Sequence, residues 1–148
     1  MNLTKDFTLE EMTRSEAATR HGFKEQFTPN DEIKANLKLL CENILQPLRE
    51  KLGVKISVTS GYRSKRTNNA IGGSETSQHV FGQAADINVS GISTLELCRK
   101  IKEFDLPFDQ LIEEFGQWVH VSYSPRNRRQ ILQATKKGRA TKYALLDL

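Results

Sequence analysis

The chain predicts an α+β fold, a mainly antiparallel sheet with helices outside it, and three observations carry that expectation. Apolar residues recur at helical spacing from Ile33 to Leu52. Two short segments, Ala84 to Val89 and Trp118 to Tyr123, alternate apolar and polar side chains with the two-residue period of a half-buried strand. Between them, a helical pattern and then a further strand with a tight turn return the chain into the second segment, which is how an antiparallel pair is joined.

The elements follow in order. Thr8 with Glu11 three residues later reads as a capping box, and Ser15 as the N-cap of a second short helix ending near Gly22. His21 lies at the end of that helix, where the dipole favours a cation, so it reads as structural rather than as a ligand. Phe23 to Asn30 is turn-like, with Pro29 just before Asp31 as the cap of the long helix. That helix is expected to bury Ile33, Leu37, Leu40, Cys41, Ile44, Leu45, Leu48 and Leu52, and Pro47 predicts a kink or break within it. Gly53 ends it. Val54 to Tyr62 reads as a strand with Ile56 and Val58 inward, and Lys65 to Gln78, rich in Asn, Gly, Ser and Thr, as an ordered loop. Ser93 with Glu96 caps a helix through Phe104 that Pro107 stops; Phe108 to Glu113 is a strand, and Glu114 to Gln117 the turn after it.

A length of 148 residues with 37% hydrophobic composition is the size of one domain, taken here as residues 1–148, with one sizeable core. The net charge of +4 and pI near 9.1 give a weak pull toward polyanions that selects no partner by itself. Arg126, Arg128, Arg129, Lys136, Lys137, Arg139 and Lys142 gather near the C-terminus without the interleaved aromatics of a nucleic-acid groove, and read as a solvated helix face. No nucleic acid, no membrane insertion and a monomer are expected. Cys41 and Cys98 sit beside leucines in helical patterns, as buried free thiols do, and nothing resembles a paired-cysteine zinc motif. The first residues lack the apolar core of a secretory signal, and no apolar run is long enough to span a bilayer.

The candidate chemistry lies on the two alternating segments. Asp86 shares a face with Ala84 and Asn88, and His120 shares one with Trp118 and Ser122. With His79 just upstream of Gly82, the three converge. Two imidazoles and a carboxylate suit a catalytic zinc, typically held by three protein ligands with the fourth position left to water.

Ser60-Gly61-Tyr62-Arg63-Ser64, Asn68, Gly72-Gly73-Ser74, the run Ser77-x-His79-x-x-Gly82-x-Ala84-x-Asp86, and Trp118-Val119-His120-Val121-Ser122 together resemble the signature of the zinc D-alanyl-D-alanine carboxypeptidases and related phage peptidoglycan endopeptidases. Their fold is shared with hedgehog signalling domains. The resemblance runs from about Phe7 to the end of the Arg-rich C-terminal segment. It implies Zn2+ on His79, Asp86 and His120, with Arg63 holding the peptide substrate and stabilising charge on the scissile carbonyl. It also implies substrate contacts from Trp118 and from Ser77, which otherwise caps the turn beneath His79. The implied activity is hydrolysis of a bond involving a D-amino acid in a peptidoglycan stem or cross-bridge peptide.

The chain departs from many of these relatives in one place. Their catalytic base, an Asp or Glu, stands three residues before the last zinc-binding His, and Gln117 occupies that position here. Glu114, at the strand end, is therefore the expected base that activates water. Glu113 takes the role if the hairpin register puts it on the face of His120. Gln117 also keeps open a zinc-bearing binding module of the same fold without turnover. For a cell-wall substrate, the expectation is synthesis in the cytoplasm followed by export or release to the wall.

Overall fold

The computed structural model describes residues 1–148. Two short helices open the chain, α1 (Leu9–Thr13) and α2 (Glu16–His21). Each is capped as its sequence predicts: Thr8 accepts the Glu11 N–H and Ser15 accepts the Ala18 N–H, both at 3.1 Å. A 3-10 turn over Lys24–Phe27 leads into α3 (Asp31–Leu40). Its cap is Asn30, whose side chain accepts from Ile33 N at 2.9 Å, and Asp31 takes the first helical position instead.

The irregularity expected from Pro47 takes the form of one π-helical turn, Cys41–Leu45, running directly into α4 (Gln46–Leu52). Proline has no N–H to give and its ring crowds the carbonyl one turn back, and a widened turn accommodates both effects. Gly53 then closes the helix in the left-handed conformation, at φ +69°.

Six strands make one sheet in the order β1-β2-β4-β3-β5-β6. They are β1 (Ser57–Ser60), β2 (Ala84–Asn88), β3 (Gln110–Glu114), β4 (Trp118–Ser122), β5 (Gln130–Lys137) and β6 (Ala140–Leu145). All neighbours are antiparallel except β3 and β5. Between β1 and β2 lie α5 (Lys65–Ala70) and a 3-10 turn over Gln78–Phe81; α6 (Thr94–Glu103) joins β2 to β3.

One face of the sheet is apolar. Ala85, Ile87, Leu111, Val119 and Val121 are fully buried there in one cluster with Leu37, Leu40, Ile44, Leu45 and Leu48 of the long helical run and with Leu97, Cys98 and Ile101 of α6. Each such Leu or Ile contributes about 1.5–3 kcal/mol relative to exposure, so the strands are anchored from one side. The other face is free to carry chemistry.

Three expectations are corrected. The basic C-terminal segment is the loop before β5 and the β5–β6 hairpin rather than a helix face; Lys137 pairs with Ala140 across a two-residue loop that opens with Gly138 at φ +65°. The stretch after Arg63 is not all loop: Ser64 accepts the Thr67 N–H at 3.2 Å and nucleates α5. The strand expected from Val54 to Tyr62 pairs only over Ser57–Ser60, with a register shift between Val58 and Ser60.

Candidate metal centre and active site

Cross-strand register builds the site. Asp86 on β2 lies opposite His120 on β4, and His120 lies opposite Ile112 on β3. Opposed residues of antiparallel strands share a face, so Glu114, two residues beyond Ile112 and opposite Trp118, points the same way as His120. His79 arrives from outside the sheet, on the 3-10 turn that Ser77 caps by accepting the His79 N–H at 3.3 Å. Gly82 ends that turn at φ +72° and passes so close to Ile33 and Leu37 of α3 that no side chain would fit.

The three expected ligands meet. Asp86 Oδ1 is 3.2 Å from His79 Nε2 and 3.4 Å from His120 Nδ1, and one donor atom from each residue lies within 4.8 Å of the others. The imidazole centroids are 5.0 Å apart with the rings 73° from parallel. Ligands at about 2.0–2.2 Å in a tetrahedron stand roughly 3.3–3.6 Å from one another, close to the two separations found.

The donor chemistry also fits. His79 Nδ1 is 2.7 Å from the Gly61 carbonyl, which can only accept, so Nδ1 carries the proton and Nε2 keeps its lone pair for an ion. Burial pushes the His79 imidazole below its ordinary value, toward the neutral form a metal needs, although Asp86 opposes this. Burial works to raise the Asp86 carboxyl, but the two imidazoles outweigh it and hold the group well below the usual carboxylate range. A neutral imidazole thus faces an ionised carboxylate, the pair a divalent cation would bind.

Glu114 stands beside this group, with Oε1 3.6 Å from His120 Nδ1 and its side chain 15% exposed. Burial raises its carboxyl and the Asp86 charge adds to that, while His120, Trp118 and Arg63 oppose. The Trp118 indole N–H is buried without closing a hydrogen bond of normal geometry, even though it faces this carboxylate. Glu113 points to the other face. It is 2% exposed and fully engaged: Oε1 accepts from Thr94 Oγ1 and Gly116 N, and Oε2 accepts from Gln133 Nε2. Gln117 is exposed in the turn.

Arg63 is half-buried in the same groove, and its Nε is buried without a partner. Asp86 and Glu114 favour its charge while burial opposes it. The groove has a volume of about 680 Å³ and is lined by Arg63, Ser77, His79, Asp86, Glu114, Trp118 and His120, with the Gly72–Gly73–Ser74 loop at its rim. That loop hangs on Asn68, whose Nδ2 donates to Ser74 O at 2.8 Å and whose carbonyl accepts from Gly73 N, also at 2.8 Å. A Cβ on Gly73 would collide with the Asn68 side chain.

A buried His-Asp-His group able to hold a metal is therefore assembled from side chains on separate elements. The family described as Peptidase M15 matches residues 5–122. The chain belongs to the peptidase M15 family. As a member it is a metallopeptidase of the zinc-dependent kind, and its mostly antiparallel α+β architecture is that of the family. No curated protein matched the chain.

Sequence reasoning missed two residues that position this M15 site. Gln26 is fully buried; its amide donates to Thr13 O and Tyr62 O and accepts from Ser64 N, all at 2.8 Å, bracketing Arg63. Asp109 is also fully buried. It accepts from Gln78 Nε2, Ser124 Oγ and the Arg128 guanidinium, tying the residue before His79 to the segment entering β5. Neither sits in a local motif. Both act through contacts distant in sequence, so no spacing signals them.

Proposed function

We propose that this M15 peptidase hydrolyses a peptide bond involving a D-amino acid in bacterial peptidoglycan, as a carboxypeptidase or an endolysin-type endopeptidase. The observation carrying this reading is the placement of Glu114 on the His120 face of the sheet, 3.6 Å from His120, while Glu113 is consumed by structural hydrogen bonds on the opposite face. It supplies a carboxylate beside the centre where Gln117 has none, which supports turnover over a zinc-bearing module that only binds.

His79, Asp86 and His120 would hold zinc, which supplies a water of pKa about 7 and Lewis-acid polarisation of a carbonyl. Glu114 accepts the proton of the attacking water and returns it to the leaving amine; its raised pKa suits a group that must do both. Arg63 turns its guanidinium donors to the substrate's carboxylate or to the oxygen on which negative charge develops. Trp118, at the start of β4, offers an aromatic surface to the peptide. Ser77 lines the groove, but its hydroxyl already accepts from His79 N, so its main work is to seat the ligand.

Digestion of purified peptidoglycan followed by mass spectrometry of the muropeptides tests the reading and names the bond. New free amines and a defined mass loss, abolished by chelator and restored by zinc, are expected. An unaltered muropeptide profile from zinc-loaded enzyme would refute it.

A further inference from the structure

The β5–β6 hairpin lies beyond the residues matched by the family, yet Leu132, Lys136, Thr141 and Tyr143 form one wall of the catalytic groove. Register explains how. Glu114 pairs with Ala134, and Ala134 pairs with Tyr143, so β3, β5 and β6 present these three residues in one row on the site face. Ala134 is small and fully buried between its two neighbours. The next row outward is Lys136 opposite Thr141.

Lys136 is exposed on the groove wall, with two contacts to its neighbours. Its ammonium sits 4.8 Å over the ring of Phe115, the residue after Glu114, and donates to Thr141 Oγ1 at 3.5 Å. No carboxylate pairs with it. The acids lining the groove, Asp86 and Glu114, are turned to the metal centre; of the other cations lining it, Arg63 lies beside that centre, Arg128 is occupied by both oxygens of Asp109, and Arg126 lies in the loop before β5, at the other end of that strand from Lys136. A positioned positive charge in a substrate groove, without a counter-charge, is complementary to an anion on the substrate.

We propose that Lys136, with Thr141 and Tyr143 beside it, is a specificity subsite for a substrate carboxylate about two residues from the scissile bond. The spacing follows from the strands. Lys136 is two residues along β5 from the partner of Glu114 and one strand across, about 7 Å by 5 Å, or roughly two residues of extended peptide. The substrate class is thus an acidic peptide, engaged at Arg63 on one side of the centre and at Lys136 on the other. This rests on the peptidase reading above.

The test uses zinc-loaded enzyme and two muropeptides identical except that the residue at that distance carries a carboxylate in one and a carboxamide in the other. The parent enzyme is expected to favour the carboxylate by about fivefold in kcat/KM, mainly through KM, as suits an exposed charge pair. Lys136→Gln should bring the ratio of carboxylate to carboxamide cleavage to about one, and Lys136→Glu should reverse the preference. Equal cleavage of both peptides by the parent overturns the subsite alone. So does a preference that survives Lys136→Gln and disappears in Arg126→Gln, which would place the anion at the opposite end of the groove. Cleavage of neither peptide overturns the subsite together with the peptidoglycan reading on which it rests.

Discussion

His79 is clamped to Gly61. Its Nδ1 gives a proton to the Gly61 carbonyl at 2.7 Å, and two residues on, the Arg63 N–H donates back to the His79 carbonyl at 3.0 Å. This leaves Nε2 facing Asp86 and ties His79 to the segment that carries Arg63. Gly61 must lack a side chain because a Cβ there would run into the Met12 carbonyl, which itself accepts from Tyr62 N at 2.8 Å. Gly61→Ala is therefore expected to shift this segment and weaken zinc binding about 10- to 100-fold, the range for losing an outer partner of a ligand. Competition with a chromophoric chelator measures it; unchanged affinity would show that the clamp does not tune the metal.

Glu114 and Glu113 are adjacent in sequence and turned to opposite faces of the sheet. Glu114→Gln should lower kcat by about 10²–10⁴-fold with zinc still bound, because a proton shuttle is lost and no ligand is. Glu113→Gln should leave kcat near the parent value and cost about 1–3 kcal/mol of stability, since its amide nitrogen cannot accept from Gln133 Nε2 as the carboxylate oxygen does. Steady-state kinetics with urea melts separates the two. The reverse pattern would exchange the assignments.

Asp109 predicts an acid limb in stability. Burial works to raise its carboxyl, but Arg128, Ser124 and Gln78 outweigh that and hold it well below the ordinary value of 3.8. Between the native and unfolded values the unfolded chain binds the extra proton, so this contribution is fully present above the unfolded value and is lost as pH falls through the native one. Asp109→Asn should cost about 2 kcal/mol at pH 7, discounted because Arg128 is partly exposed. The gap between variant and parent should narrow below about pH 4. A gap independent of pH would mean that the charge contributes nothing.

Cys41 and Cys98 are fully buried, and burial pushes both thiols up to about 12. The thiolate is the reactive form, so the native protein should resist iodoacetamide at pH 8 and take up two labels once unfolded. Rapid labelling of the native state would reveal an opening of the helical core that the structure does not show.

What could be read from sequence was whatever a local period or cap encodes. Alternation around Asp86 and His120 gave the correct face of each strand, and the Thr8, Ser15 and Ser93 caps lie where their spacing puts them. The β5–β6 hairpin was hidden because its charged residues mask the alternation: β6 is an edge strand with most positions exposed, so polar side chains are tolerated on both faces. Helix α5 was hidden by Asn and Thr, poor helix formers that are nonetheless buried at Thr67 and Asn68 to hold the rim of the groove. The choice between Glu113 and Glu114 depended on hairpin register. The tight turn at Phe115 and Gly116, both with positive φ, sets that register, and composition alone does not reveal it.

The central claim is that His79, Asp86 and His120 together hold the metal on which hydrolysis depends. Elemental analysis of metal content, paired with a peptidoglycan hydrolysis assay, tests it on the parent and on the His79→Ala/Asp86→Ala/His120→Ala variant. One equivalent of zinc in the parent, none in the variant, and activity that follows the metal is the predicted result. A variant that retains the full equivalent, or a zinc-free parent that hydrolyses at an undiminished rate, would contradict the account.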